Sequence, residues 1–422
     1  MNILVASGSF KDVYTPKEAC EMINDVIKTL KIDNLIVEKI PMVDGGEYSN
    51  DVLLNAFNCN KIEVHNIVNP FGKKIKSYYL KLDNNSAFIG SSEILGLLPS
   101  DDIYKNPLKL TSYGLGQLIL DAIKRGYKKI YIGLGGTGTV DCGIGMSQVF
   151  GVKYFDSNGK ELIPQNGLYF SAIDLLNING VSIDGLKDDY NNIEVYALCD
   201  GNATIHQMDT PNRQKIGNNY NQESKKIIND LECGINNYVQ VIEDLYKQKS
   251  LAKYLPIYKQ KYFGVAGGIN LSLNYIFNTN MTLGIEYFIN KFNLVDRIKE
   301  ADLIITGEGK IDNSLNGKTP IGICELAKRN NKPTLFLTGN VCESLKPYFK
   351  KNIALELPKD YKDCGVNAII SCHDENEDKM ISMDVEKRKG LFKEITPIIF
   401  ERSLKEYFIS KKSSITGTYF YR

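Results

Sequence analysis

Acidic and basic side chains alternate with glycines in one stretch of this sequence that could bind an anion and act on it as acid or base. The run Leu303–Ile305 is short and apolar, as expected of one buried strand of a parallel sheet. Residues 306–310 read Thr-Gly-Glu-Gly-Lys, and the two glycines predict a tight turn with exposed amide groups. Asp312 and Lys318 follow, before a helix predicted at Ile321–Arg329 whose N-terminus favours an anion. Ligands bind at such strand-to-helix turns in open α/β sheets, so this stretch predicts a ligand site.

Further segments combine a predicted strand with a following loop of small or acidic residues. They are 7–11 after strand 3–6, 41–47 after strand Leu35–Ile40, 135–145 after strand Lys129–Leu134, and 199–202 after strand Ile193–Leu198. A fifth small-residue loop lies at 264–268. Small residues let the main chain approach a charged oxygen group closely, so residues 135–145 predict a binding loop. Residues 317–319, Gly-Lys-Thr, end like a Walker phosphate loop, but the upstream glycine has the wrong spacing.

Composition excludes several classes of function. The 422 residues include 51 Lys and Arg against 50 Asp and Glu, a balance that argues against a nucleic-acid or membrane-surface role. The nine cysteines form no CxxC pair, and with three histidines they predict neither a disulfide framework nor a structural zinc site. A reduced, cytoplasmic setting is the expectation, with a first strand at the N-terminus instead of a signal peptide. The expected partner is a small-molecule substrate, and a homo-oligomer stays open.

The order of predicted elements indicates an α/β protein with two domains. The strand at 3–6, a helix from Pro16 to Leu30 and the strand Leu35–Ile40 form βα units, whereas residues 61–82 alternate as hairpin strands. We therefore predict a Rossmann-like parallel three-layer α/β/α domain at 1–64 and 295–410. A second α/β domain, 65–294, is predicted to be inserted in it, and 411–422 to form a tail. A helix at 222–247 is expected to be a solvent-facing cover, and the last two strands to lie at Pro333–Leu337 and Ile353–Leu357.

Taken together, the loops resemble those of the bacterial glycerate kinase family, in the same order from about residue 1 to residue 408. The matching pieces are Ser9-Phe10-Lys11, residues 41–47 (Pro-Met-Val-Asp-Gly-Gly-Glu), residues 135–146, Cys199-Asp200, Gln214-Lys215, Ala266-Gly267-Gly268, and residues 306–312 with Gly317-Lys318. The resemblance implies a kinase that uses ATP and Mg²⁺ to phosphorylate D-glycerate, and it favours the 2-hydroxyl as the group that is phosphorylated.

The sequence departs from the family pattern at Gly8, Asp12, Gly90, Gln117 and Val140, and the spacing between Asp312 and Gly317-Lys318 is one residue short. These positions lie at loop edges where substrate polar groups would be read. Two alternatives therefore stay open. One is a kinase for a different small hydroxy or sugar acid, and the other is a non-catalytic ligand sensor built on the kinase scaffold.

Phosphoryl transfer requires a carboxylate near the acceptor hydroxyl, cations at the phosphates and carboxylates for Mg²⁺. The predicted catalytic residues are Asp44, Asp200 and Lys11. The predicted substrate-binding residues are Ser9, Lys11, Gly45, Gly46, Glu47 and Lys318. The predicted nucleotide-binding residues are Gly135, Gly136, Thr137, Thr139, Asp141, Gly267, Gly268, Gly307, Glu308 and Gly309. The predicted metal ligands are Asp200, Glu308 and Asp312. Lys11 could equally be a surface lysine, and Asp141 a helix cap.

Overall fold

A computed structural model describes residues 1–10, 13–96, 106–208, 222–248, 251–311, 318–372 and 385–412. The chain divides into two compact units. The outer unit comprises Met1–Val43 and Ile285–Arg422, and the inserted unit comprises Asp44–Gly284.

The strands within the described residues are β1 (Asn2–Ser7), β2 (Ile36–Pro41), β3 (Asn60–Val68), β4 (Lys74–Lys81), β5 (Ser86–Gly90), β6 (Lys129–Leu134), β7 (Lys153–Phe155), β8 (Gly180–Ser182), β9 (Glu194–Cys199), β10 (Asn280–Leu283), β11 (Leu303–Ile311), β12 (Thr334–Val341), β13 (Ile353–Ala354) and β14 (Ala368–Ser371). The α-helices are α1 (Pro16–Thr29), α2 (Ser49–Ala56), α3 (Ser91–Leu95), α4 (Tyr113–Lys124), α5 (Ile144–Gln148), α6 (Gln222–Gln248), α7 (Asn270–Phe277), α8 (Gly284–Lys291), α9 (Leu294–Glu300), α10 (Thr319–Arg329), α11 (Lys359–Asp363) and α12 (Val385–Lys412).

The outer unit is built on a six-stranded sheet of order β13-β14-β12-β11-β1-β2. All its pairings are parallel except that of β13 with β14. Alternate strand residues face opposite sides. Ile3 and Val5 pack in one apolar cluster with α1 and α12, whereas Phe336 packs in another with α10 and α11. The predicted three-layer α/β/α arrangement is confirmed.

The inserted unit has its own six-stranded sheet, of order β10-β9-β6-β5-β4-β3. Strands β10, β9, β6 and β5 are parallel, and β5, β4 and β3 are antiparallel. Ile130, Ile132 and Val195 on one face pack against the helices in a single large core. Helix α6 covers this core with one buried side, on which Tyr238 and Val239 are fully buried, and its other side faces solvent. The prediction of a second α/β domain inserted in the first is confirmed.

The transitions between the units lie after Val43 and after Gly284, whereas the sequence suggested 64 and 294. Residues 44–64 lie in the inserted unit because β3 pairs with β4 of its sheet. Strand β14 was missed by the sequence analysis, and residues 413–422 of the predicted tail lie outside the described residues. Among the helices of the described ranges, none combines the length and apolar character that a membrane crossing requires.

Candidate active site

The outer unit holds one group of predicted residues at the point where the strand order of its sheet reverses. Strand β1 leads to β2 on one side, and β11 pairs on the other side, which is the position where open α/β sheets bind ligands. Ser9 follows β1 here, and its carbonyl oxygen accepts a hydrogen bond of 3.2 Å from the Gly309 amide. The Gly8 amide donates to the Gly307 carbonyl at 3.0 Å. These bonds join the end of β1 to β11.

The predicted turn at 306–310 is wrong, because β11 continues as a strand to Ile311 and stays in register with β12. A Cβ placed on Gly307 would lie 2.5 Å from the Leu337 carbonyl oxygen and 3.1 Å from the Phe10 ring. The glycine is therefore needed for close strand packing. Because the Gly309 amide already donates to Ser9, it is not available to a phosphate.

The remaining outer-unit predictions fall at the same edge of that sheet or outside the described residues. Glu308 is half-buried within β11, and Lys318 is half-buried where it precedes α10. Lys11 and Asp312 lie outside the described residues.

In the inserted unit, residues of the candidate site follow the carboxyl ends of adjacent parallel strands. Ser91 follows β5, Gly135 follows β6 and Asp200 follows β9. The Ser91 hydroxyl donates to the Gly135 carbonyl at 3.3 Å, and the Asp200 amide donates to the Leu134 carbonyl at 2.9 Å. A Cβ on Gly135 would lie 2.2 Å from Oδ2 of Asp200. Only glycine at 135 therefore leaves room for this carboxylate.

A turn formed by residues 44–47 lies over these strand ends. Gly45 has a φ of +97°, and a Cβ there would be 2.3 Å from the Leu198 carbonyl oxygen. Oδ1 of Asp44 accepts a hydrogen bond of 3.3 Å from the Gly46 amide. A Cβ on Gly46 would lie 3.3 Å from Oδ1 of Asp44 and 3.6 Å from Oδ2 of Asp200. The two half-buried carboxylates thus flank one glycine.

The same packing brings Glu47 to the glycine loop. Gly136 has a φ of +63°, and a Cβ on it would lie 2.7 Å from Cγ of Glu47 and 3.3 Å from Cβ of Ser92. Glu47 itself is exposed. The structure therefore brings together Asp44, Gly45, Gly46, Glu47, Gly135, Gly136 and Asp200.

Asp141 anchors the later part of the glycine loop. It is fully buried, and its carboxylate accepts hydrogen bonds from the Ser112 amide and hydroxyl, both at 2.8 Å. The amides of Gly143 and Gly145 donate to it at 3.1 and 3.3 Å. Burial raises the pKa of Asp141, while these four donors act in the opposite direction. Because its oxygens are occupied by the chain, the geometry favours a positioning role for Asp141 over direct contact with a nucleotide.

Gly267 and Gly268 pack against the same loop. The Cys142 amide donates to the Gly267 carbonyl at 3.0 Å, and a Cβ on Gly267 would lie 1.8 Å from the Thr139 carbonyl oxygen. The Thr139 hydroxyl is buried without a hydrogen-bond partner among the described residues. Beneath the loop, the Ser272 hydroxyl donates to the Cys142 carbonyl at 2.8 Å.

The thiols in these loops are unsuited to nucleophilic catalysis. Burial raises the pKa of Cys199 to about 12, and burial followed by the charge of Asp141 raises that of Cys142 as well. Both thiols therefore stay protonated near neutral pH.

Departures from the family pattern have local structural explanations at two positions. Gln117 accepts a hydrogen bond of 2.7 Å from the Val68 amide and donates to the Asn66 carbonyl at 3.4 Å, at the irregularity in β3. Val140 is buried in the apolar core. Neither side chain is placed to read a substrate.

Sequence reasoning assigned no site role to Ser91, Ser92, Ser112 or Asn50. The Ser112 hydroxyl donates a hydrogen bond to the Asp141 carboxylate. The available signal was the position of Ser91 and Ser92 directly after a predicted strand. Asn50 had no such signal, because it lies inside a helix.

Within the described residues, no three side chains of His, Cys, Asp or Glu cluster closely enough to hold a metal ion by themselves. Mg²⁺ in phosphoryl-transfer sites needs only one or two carboxylates, with phosphates and waters as the other ligands. Asp200, at the carboxyl end of β9, is a carboxylate of that kind.

Comparison with known proteins finds one matching family and several similar chains. Residues 3–376 match the model of the glycerate kinase family. A glycerate kinase of Haemophilus influenzae is 30% identical over 361 residues, which span 85% of this chain and 91% of that protein. A glycerate 2-kinase of Escherichia coli K12 is 29% identical over 350 residues, spanning 82% and 87%. A crystal structure from Salmonella typhimurium LT2, provisionally named glycerate kinase 2, has a TM-score of 0.66 at 23% identity and covers 98% of this chain and 99% of its own, which shows a shared fold.

The anchoring role of Asp141 predicts a large stability effect. Asp141→Ala leaves the buried donors of Ser112, Gly143 and Gly145 without an acceptor, so the free energy of unfolding should fall by about 3 kcal/mol in urea titrations. The exposed Asp188 of the same unit provides the control, and Asp188→Ala should change it by less than about 0.5 kcal/mol. Equal stabilities of the two variants would refute the anchoring role.

Proposed function

The chain belongs to the glycerate kinase family, and on that premise we propose that it transfers the γ-phosphoryl group of ATP, with Mg²⁺, to a hydroxyl of D-glycerate. The 2-hydroxyl is the proposed acceptor atom, with 2-phosphoglycerate as the product. Membership in this family makes the chain a phosphotransferase.

The observation that carries the proposal is that Asp44 and Asp200 both lie beside Gly46, with carboxylate oxygens 3.3 and 3.6 Å from the position of a Cβ there. Both side chains are half-buried at the carboxyl edge of the parallel strands, where an acceptor can reach them. Phosphoryl transfer depends on positioning and charge stabilisation more than on covalent help from the protein. One carboxylate can position the acceptor hydroxyl while the other holds a metal ion that stabilises the charge on the phosphoryl group.

We assign Asp44 to the acceptor hydroxyl. Its carboxylate would orient the hydroxyl and accept its proton as the bond to phosphorus forms. The turn that carries it is held rigidly, because a Cβ on Gly45 would collide with the Leu198 carbonyl and one on Gly284 would lie 1.9 Å from the Asp44 carbonyl. Such a fixed turn keeps the base in position without reorganisation.

We assign Asp200 to Mg²⁺, which when bound neutralises charge on the transferred phosphoryl group. The glycine loop would hold the phosphates through its amides. The amides of Gly135 and Gly138 already donate, to Ser91 and to the Leu95 carbonyl. The amides of Gly136, Thr137 and Thr139 are therefore the proposed phosphate donors. Asp141, Gly267 and Gly268 support this loop.

For the outer unit, Ser9 and Lys318 remain proposed substrate contacts, with Lys11 and Lys318 neutralising phosphate or substrate carboxylate. Glu308 and Asp312 remain proposed to orient the metal or the loop. Of the Gly307–Gly309 amides, that of Gly309 is excluded by its bond to Ser9.

An assay with a panel of acceptors tests the proposal. Purified protein with ATP and Mg²⁺ is offered D-glycerate and then other small hydroxy acids, while ADP release is followed and the product is identified by NMR. We expect the highest kcat/KM with D-glycerate and a phosphate on its 2-oxygen. Turnover of a different acid alone would favour the alternative, a kinase for another small hydroxy or sugar acid. Binding without turnover would favour a sensor.

Asp44→Asn removes the proposed base while keeping the size of the side chain. We expect kcat to fall roughly 100- to 10,000-fold with an unchanged melting temperature. Asp188→Asn, at an exposed carboxylate of the same unit, should keep normal activity. A near-normal rate for Asp44→Asn would remove this residue from the mechanism.

Gly135→Ala tests the placement of Asp200 without altering a carboxylate. The added methyl group would lie 2.2 Å from Oδ2 and 2.5 Å from Cγ of Asp200, so this side chain must move. A misplacement of about 1 Å costs roughly 100-fold in rate, and we expect a loss of that order in kcat/KM. Gly201→Ala is the matched control, since a Cβ there meets nothing within 4 Å. Equal activities of the two variants would argue that the position of Asp200 is irrelevant to turnover.

A further inference from the structure

One side chain beside the proposed site is buried with its hydrogen-bonding groups unused. Asn50 in α2 is 1% exposed, and neither its Oδ1 nor its Nδ2 has a hydrogen-bond partner among the described residues. Leaving a buried amide unpaired costs about 1–3 kcal/mol, so such groups are rare unless another molecule supplies the partner. Asn50 can therefore offer both a donor and an acceptor to a ligand.

The location of the amide ties it to the proposed acceptor site. A Cβ on Gly90 would lie 2.8 Å from Oδ1 of Asn50, so the carboxamide fills the space left by the missing side chain at the carboxyl end of β5. The next residue, Ser91, bonds to Gly135. At the other end, α2 begins directly after the turn of residues 44–47, where the Ser49 hydroxyl donates to the Gly46 carbonyl at 2.8 Å. Asn50 therefore lies next to the residues that contact the Asp44 turn, through Ser49, and next to those that contact the Asp200 loop, through Ser91 and Gly135.

The charges around Asn50 indicate which ligand group it takes. Burial and the negative charge of Asp51 raise the pKa of Glu93, and burial and the charge of Glu93 raise that of Tyr78. The Asn50 amide lies close enough to oppose the shift at Tyr78, although no hydrogen bond of normal geometry joins them. Asp51 and Glu93 disfavour a substrate carboxylate here, and Lys61, whose Nζ lies 4.2 Å from the centre of the Tyr78 ring, offsets them only in part. A neutral hydroxyl, which both donates and accepts, matches an amide that can do the same.

We propose that Asn50 is a specificity-determining residue that binds the second hydroxyl of the acceptor acid, the one that is not phosphorylated. This inference rests on the proposed kinase function. It identifies the substrate class as a small acid with two hydroxyl groups.

The test compares glycerate with its two deoxy analogues, lactate and 3-hydroxypropanoate, as substrates or as competitive inhibitors. A site built to bond a hydroxyl rejects the analogue that lacks it. The unaltered protein should have a lower kcat/KM for the analogue that lacks the second hydroxyl than for glycerate. Asn50→Leu should lower kcat/KM for glycerate roughly 10- to 100-fold and should change kcat/KM for that analogue little. The preference should therefore collapse in the variant.

Stability and a matched variant separate this role from a structural one. Leu replaces the unpaired amide with an apolar group of similar size, so the melting temperature of Asn50→Leu should stay equal or rise. Asn55→Leu, at an exposed position of the same helix, should leave the preference between acids unchanged. A preference that survives in Asn50→Leu within twofold overturns the proposal, whatever happens to the melting temperature.

Calorimetry distinguishes failure of this inference from failure of the proposed function. If the protein does not phosphorylate glycerate, the kinase proposal fails, but binding of glycerate and its analogues to the unaltered protein and to Asn50→Leu can still be measured. Weaker binding of glycerate by Asn50→Leu than by the unaltered protein would support a hydrogen bond from Asn50 to the second hydroxyl. Equal affinities, or no binding to either protein, would overturn it.

Discussion

The proposed site depends on the close approach of main chains at the carboxyl ends of the inserted sheet. Gly45, Gly133 and Gly284 allow the turn of residues 44–47 to lie against β6, β9 and β10, since a Cβ on Gly133 would be only 2.5 Å from the Gly45 carbonyl oxygen. Without those contacts, Asp44 and Asp200 would not flank the same glycine. The nearness of the two carboxylates is therefore a consequence of backbone packing.

A second constraint fixes the glycine loop from behind. The Ser272 hydroxyl, which bonds to the Cys142 carbonyl, is itself contacted by the Tyr275 hydroxyl at 3.1 Å and by the Tyr238 hydroxyl at 3.2 Å. Burial raises the pKa of Tyr238 far above its usual value, so this phenol stays neutral and can serve as a donor. Together with Asp141, these hydroxyls connect the loop to α6 and α7 within one core. A polar network that is buried and satisfied in this way holds a loop in a single conformation.

Much of the fold could be predicted from local sequence, because apolar runs such as Leu303–Ile305 and the Thr15-Pro16 helix start are short-range signals. The Thr15 hydroxyl accepts a hydrogen bond from the Glu18 amide, and the Glu18 carboxylate accepts one from the Thr15 amide, which caps the start of this helix. Gly307 suggests a turn in the sequence, but it permits close packing against Leu337 and Phe10, which are distant in sequence. Local patterns cannot distinguish a glycine that permits a turn from one that permits contact between strands.

For the site, too, some residues could be predicted from local sequence and others could not. Asp44 and Asp200 stand out because each follows a strand beside glycines, whereas Asn50 looks like any polar residue of a surface helix until its burial is known. The most direct test of the central claim is a crystal structure of the protein with bound D-glycerate. The account predicts the acceptor hydroxyl within about 3 Å of the Asp44 carboxylate. Glycerate bound away from both Asp44 and Asp200 would contradict it.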